Sequence, residues 1–216
     1  MEYTINIKGR LMDLSTPQVM GILNVTPDSF YSGSRKQTEM EIAQRANQII
    51  EEGGSIIDVG AFSTRPGADE VSEEEEGRRL KFALDIVRRE QPHAAISVDT
   101  YRPTLARKCI EEWGADIIND VSEGGITGIV NVPLEQRQEE YPEMFRVVGE
   151  LKVPYILMSV QPTLARMMKG FSREVQQLRD LGAKDIILDP GFCFGKNLIQ
   201  NYQIYDEMEK LNVLEL

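Results

Sequence analysis

Six carboxylates and amides stand where short apolar runs give out: Asn24, Asp58, Asp99, Asn119, Asp120 and Asp189. Oxygens of this kind, brought together in one pocket, accept hydrogen bonds from N–H groups and stabilise a developing cation. A flat heterocycle with a guanidine-like edge is a suitable partner for such a set. Each residue taken alone is equally suited to an Asx turn or a helix cap. Five of six strand ends sharing the feature argues for a common site. The segment "FSTRPGA" (Phe62 to Ala68) adds hydroxyls and the guanidinium of Arg65, which suits an anion. "DPGFCFGK" (Asp189 to Lys196) has glycines that let backbone approach a ligand. Phe192 and Phe194 there suit either ring stacking or ordinary packing, and Lys196 suits solvent or an anion.

Two features read as structural. In "VSEEEEGRRL", Ser72 as N-cap with Glu75 three residues on makes a capping box, and the acidic run complements a helix N-terminus. His93 is the only histidine and precedes a strand, at the end of the fold away from the strand-end acids. Triad or histidine acid–base chemistry is therefore disfavoured.

The elements that position these residues repeat. "GGSIIDVG", "GADIINDVS" and "GAKDIILDPG" each run glycine, small residue, Ile-Ile, then a carboxylate. Each follows an amphipathic segment: Glu39 to Glu52, Thr104 to Trp113 and Ser172 to Leu181. The glycines suit the left-handed position past a helix, and the Ile-Ile pairs suit buried parallel strands. "VMGILNV" (Val19 to Val25) reads as a strand buried on both faces that ends in Asn24, with turn residues Thr26, Pro27 and Asp28 following. "AAISVDT" and "VPYILMS" supply two more strands. Strand ends fall near Asn24, Gly60, Asp99, Asp120, Met158 and Asp189.

Alternating strands and helices imply a parallel sheet. An open doubly wound sheet and a TIM (β/α)8 barrel both satisfy the pattern. The barrel is favoured because it directs every strand end to one mouth. No GxGxxG follows the first strand, so a dinucleotide site has little support. Six of eight βα units are present, and the expectation is one barrel domain over residues 1–216, incomplete at its C-terminal end. The 216 residues carry a net charge of -11, which disfavours nucleic acid and anionic membranes as partners. The N-terminus lacks a signal-peptide core, and Cys109 and Cys193 form no zinc spacing or disulfide framework, so a cytoplasmic location is expected.

Taken in order, "MGILNVTPDSF", "IIDVGAFSTRPGA", "ISVDTYRP", "GADIINDVS", "VPYILM" and "ILDPGFCFGK" resemble dihydropteroate synthase, across essentially the whole chain. The resemblance implies a dimeric TIM barrel that joins 6-hydroxymethyl-7,8-dihydropterin pyrophosphate to p-aminobenzoate, with Mg²⁺, in folate biosynthesis, and that is a sulfonamide target. It implies that Asn24 contacts the metal and pyrophosphate, and that Asp99, Asn119 and Asp189 hold the pterin N–H edge. Met158 and Phe194 line the pterin pocket. Thr64 and Arg65 belong to a loop that closes over the second substrate. A related methyltransferase acting on methyltetrahydrofolate and a corrinoid protein shares the pterin-edge acids but not the "NVTPDSF" and "STRPG" pair. A noncatalytic fragment is the third reading.

There are departures from the family pattern. The Ser-Arg-Lys-Ser strand and the last-strand Arg and His are absent, so a chain ending at Leu216 is expected to bind substrates poorly and to be inactive. Tyr31 to Ser34 replace a Ser-Asp-Gly-Gly loop. Ser159 stands where many members have His, and Cys193 where Gly is common.

Overall fold

The computed structural model describes residues 3–25, 35–62, 71–125, 141–214 and 216. The chain divides into two compact units, Met1–Ile118 and Asn119–Leu216.

The first unit opens with an antiparallel hairpin, β1 (Thr4–Ile7) and β2 (Arg10–Asp13), which the sequence motifs do not announce. Its turn residue Lys8 reaches Asp116 at 2.7 Å, and Arg88 meets the same carboxylate at 2.7 Å. Three parallel strands follow: β3 (Met20–Asn24), β4 (Ile56–Gly60) and β5 (Ala95–Asp99). They pair in chain order, β3 with β4 and β4 with β5. Helix α1 (Arg35–Glu51) buries Ile42, Ala46 and Ile49, spaced for one helical face. Helix α2 (Glu73–Glu90) buries Leu80, Ala83, Leu84 and Val87 in the same way. Helix α3 (Pro103–Glu111) begins with Pro at its first turn, where a missing N–H costs nothing. Ile57, Val59, Ile96 and Val98 are closed against this helical layer. Each fully buried Ile or Val contributes about 1.5–3 kcal/mol.

Strand β6 (Ile117–Asp120) begins in the first unit and ends in the second. The second unit continues with α4 (Glu143–Leu151), β7 (Tyr155–Met158), α5 (Leu164–Asp180), β8 (Ile186–Asp189) and α6 (Leu198–Glu207), then a 3₁₀ turn over Met208–Leu214. Strands β7 and β8 are parallel neighbours. Gly53, Gly114 and Gly182 all take positive φ, as their place after α1, α3 and α5 requires. Helix α5 begins eight residues earlier than the amphipathic segment suggests, because Thr163 caps it by accepting from Arg166 N.

One expectation is corrected. Strand β3 is not buried on both faces: Leu23 is enclosed, but Ile22 is 58% exposed. Its only strand neighbour among the described residues is β4, so the face opposite α1 stays open. With six parallel strands alternating with helices, the fold is the α/β architecture expected from the sequence. No helix among the described residues is long and apolar enough to cross a membrane.

Candidate active site

All six parallel strands end at the residue where the apolar run gives out: Asn24, Gly60, Asp99, Asp120, Met158 and Asp189. Side chains alternate between the two faces of a strand, so the residues at a strand's end separate into two sets.

In the first unit, Asn24, Gly60 and Asp99 stand side by side in register across β3, β4 and β5. Their neighbours Leu23, Val59 and Val98 face the helices, so this row faces the other way. Gly60 is the reason that Asn24 and Asp99 share one space. A Cβ at Gly60 would lie 2.9 Å from Asn24 Oδ1 and 3.4 Å from Asp99 Oδ2. Two oxygen donors thus face the gap above a glycine. Asp58 lies one layer deeper, opposite Ser97, and is buried within β4 rather than at its end.

In the second unit the last two residues of β6, Asn119 and Asp120, take opposite faces. Asp120 is fully buried and accepts from Ser122 N at 2.8 Å, Gly124 N at 2.7 Å and Tyr155 Oη at 2.7 Å, and also from Ser122 Oγ. Burial raises its pKa, and these donors oppose the rise. Tyr155 packs edge-on to Phe145 of α4, with centroids 6.0 Å apart, so Asp120 faces the helical layer. Asp120 therefore ties down its own loop, as the Asx-turn reading allows, and Asn119 takes the opposite face of β6. On β7 and β8, Met158 and Asp189 pair directly and also lie opposite the Tyr155 face. Asp189 Oδ1 accepts from Gly191 N at 2.8 Å. Burial pushes the Asp189 carboxyl above the usual range, opposed by that N–H and by Lys196.

Lys196 is held inside the loop. Its Nζ donates to Ser159 O at 2.8 Å, Gly191 O at 2.9 Å and Phe194 O at 3.1 Å. Three carbonyls occupy its three donors, so it braces the segment after β8 against the end of β7. Gly191 makes that close approach possible. Its φ is +62°, and a Cβ there would lie 2.3 Å from Ser159 O. Phe192 packs on Tyr205 of α6, while Phe194 is half-buried beside the Asp189 loop.

Thr64 and Arg65 lie outside the described residues, as does the turn "TPDSF". The acidic run at the start of α2 is half of the expected capping box: Ser72 Oγ accepts from Glu75 N at 3.2 Å. The Glu75 carboxylate turns away to Arg78 and Arg79. Burial pushes the Cys109 thiol far above its ordinary range, which disfavours a reactive thiolate.

Glu174 of α5 is a buried acid that the motifs do not reveal. Burial pushes its carboxyl up to about 8, the charge of Glu123 adds to this, and Arg173 opposes it. Between about pH 5 and pH 8 the native state keeps a proton that the unfolded chain releases, so this group makes stability fall as pH rises through that window. Glu174→Gln is expected to flatten the fall by on the order of 2 kcal/mol, read as the difference between urea unfolding curves of variant and wild type at the two pH limits.

Residues 20–216 match the family model described as pterin binding enzyme. The chain belongs to the pterin-binding enzyme family. Dihydropteroate synthase of Escherichia coli (strain K12) is 35% identical over 97% of the chain and 73% of its own length. The solved structure of Xanthomonas albilineans dihydropteroate synthase with 4-aminobenzoic acid is 30% identical. It covers all of the chain and 76% of its own, with a TM-score of 0.81. The same bacterium's enzyme in complex with 7,8-dihydropteroate is 27% identical, covering 99% of this chain and 75% of its own, with a TM-score of 0.77.

Proposed function

We propose that the protein is a dihydropteroate synthase, condensing 6-hydroxymethyl-7,8-dihydropterin pyrophosphate with p-aminobenzoate to give 7,8-dihydropteroate and pyrophosphate. The reading is carried by family membership across residues 20–216, with acidic and amide strand ends at the positions the resemblance assigns to the pterin.

Each residue takes a role that its chemistry allows. Asp99 and Asp189 accept hydrogen bonds from the amino and ring N–H groups of the pterin, and the Asn119 amide offers both an acceptor and donors. Met158 and Phe194 flank the ring. As the methylene carbon–oxygen bond breaks, pyrophosphate leaves with the electron pair and positive charge spreads into the ring. The carboxylates stabilise that charge without moving. The neutral amine of p-aminobenzoate then forms the carbon–nitrogen bond and releases a proton. Such a nucleophile needs no strong base, consistent with a chain whose one histidine lies at residue 93. Thr64 and Arg65 serve p-aminobenzoate in this scheme.

The described residues contain no cluster of three or more His, Cys, Asp or Glu that forms a metal cage. Mg²⁺ fits nevertheless, because it takes one or two protein oxygens and completes its shell with water and substrate phosphate. Asn24 Oδ1, at the edge of the Gly60 gap, is the oxygen that would hold it. When bound, Mg²⁺ neutralises charge on the pyrophosphate leaving group. A homodimer and a cytoplasmic address belong to the same proposal and rest on the resemblance.

The test supplies both substrates and Mg²⁺ to the intact protein and measures pyrophosphate. Release that depends on p-aminobenzoate is expected. None from a well-folded sample would overturn the reading.

A further inference from the structure

The two residues just past β7 are gripped by side chains from the segments after both neighbouring strands. Glu123, buried in the turn after β6, accepts from Val160 N at 3.1 Å through Oε1. Lys196, after β8, donates to Ser159 O at 2.8 Å. Ser159 N donates to Asp189 O at 2.9 Å, and Ser159 Oγ accepts from Gln161 N at 3.3 Å. Met158, one residue earlier, is the register partner of Asp189. Opposite charges thus hold consecutive peptide groups next to two of the proposed ring partners. The charge of Glu123 also favours the Lys196 ammonium, which burial disfavours. Glu123 takes a φ of +52°, uncommon for a residue with a side chain and kept only where surrounding contacts determine it.

Glu174 acts on this clamp from α5. It is fully buried, and its Oε1 lies 3.4 Å from Arg173 Nη2, on a side chain that is 44% exposed. Its Oε2 has no hydrogen-bond partner among the described residues. The titratable groups that meet it are Arg173 on its own helix, Glu123 after β6 and Tyr155 of β7. Tyr155 keeps its proton, because burial lifts its hydroxyl well above the ordinary range, and donates it to Asp120. An ionised Glu174 therefore places a second negative charge within reach of Glu123, with one half-exposed arginine to offset it. Such a state is costly in a buried site. A neutral Glu174 leaves Glu123 ionised and bonded to Val160.

We propose that Glu123 is a positioning residue, which with Lys196 clamps Ser159 and Val160 and so holds Met158 and Asp189 for the ring, and that Glu174 governs its grip. The identity of that ring, a pterin, rests on the synthase reading.

Three variants of the intact protein test the proposal, read by hydrogen exchange of the peptide spanning residues 156–162 and by calorimetric Kd for the pterin pyrophosphate. At about pH 6.5, Glu123→Ala is expected to quicken exchange and raise Kd, each about tenfold. Glu174→Gln is expected to match wild type there, within about twofold, and at about pH 9.5 to exchange more slowly and bind about tenfold more tightly than wild type. Loss of the Lys196 proton at the upper pH is common to both proteins, so their ratio isolates Glu174. Glu123→Gln keeps an acceptor for Val160 N and removes the other charge, so it is expected to stay folded and share the alkaline advantage of Glu174→Gln. A ratio of wild type to either glutamine variant that does not change with pH would overturn the proposal. So would a folded Glu123→Ala with wild-type exchange and affinity. If the wild type binds no pterin pyrophosphate, the synthase reading fails, and the exchange ratios still decide the clamp.

Discussion

Asp189→Asn is expected to weaken binding of the pterin substrate by roughly a hundredfold, about 3 kcal/mol, while the protein stays folded. The substitution is cleaner than removal of the side chain. An Asn Oδ1 still accepts from Gly191 N, the bond that Asp189 makes at 2.8 Å, so the segment after β8 keeps its shape. Lys196 also keeps its three carbonyl partners, none of which is the Asp189 side chain. What changes is the face offered to the ring. A charged acceptor becomes neutral, and one of its oxygens becomes an N–H donor set against the donors of the pterin. Charge-assisted hydrogen bonds are the stronger kind, and a buried donor facing a donor loses its partner outright. Asp99→Asn is expected to behave in the same way. Titration calorimetry with the pterin pyrophosphate reads both, and unchanged affinity in both variants would remove the acids from the site.

The second large effect comes from a residue without a side chain. Gly60→Ala is expected to lower kcat/KM about a hundredfold while changing stability by less than about 1 kcal/mol. The added methyl would sit 2.9 Å from Asn24 Oδ1 and 3.4 Å from Asp99 Oδ2. Both neighbours are the ends of polar side chains rather than backbone, so they move aside and the strand stays in place. That movement is the damage. Asn24 and Asp99 leave the positions that the proposed roles require of them. Turnover assays beside thermal melts separate the two effects, and a folded Gly60→Ala with wild-type turnover would show that the gap above Gly60 is not used.

The strand ends were legible because they depend on local chemistry. A short apolar run that gives way to polar or turn residues is a short-range signal, and all six parallel strands stop at the ends read from it, although the Ile-Ile pair itself occurs only in β4, β6 and β8. The helix-ending glycines are legible for the same reason. Which face a strand-end residue takes is less so. Asp120 looked like Asn119 in sequence, yet alternation turns it to the helical layer, where Tyr155, 35 residues away, completes its bonds. Asp58 was grouped with the strand ends although it lies a layer below Gly60. Lys196 left solvent or anion open, and the choice was made by Ser159 O, a carbonyl just past the end of β7. The hairpin β1–β2 and the carboxylate of Glu174 were not read at all, and Glu76 was read only as part of an acidic run at a helix start. The hairpin and Glu76 are held by partners distant in sequence, Asp116 for Lys8 and Thr100 for Glu76. Burial of β3 was over-read, because an apolar run records composition and not how many neighbours the strand acquires.

The account's central claim is that acids and amides from separate strand ends share one pterin ring. Crystals of the protein grown with the pterin pyrophosphate test it most directly. The expected result has side-chain oxygens of Asp99, Asn119 and Asp189 within about 3 Å of pterin nitrogens, with Met158 and Phe194 against its faces. A ring bound elsewhere would contradict it.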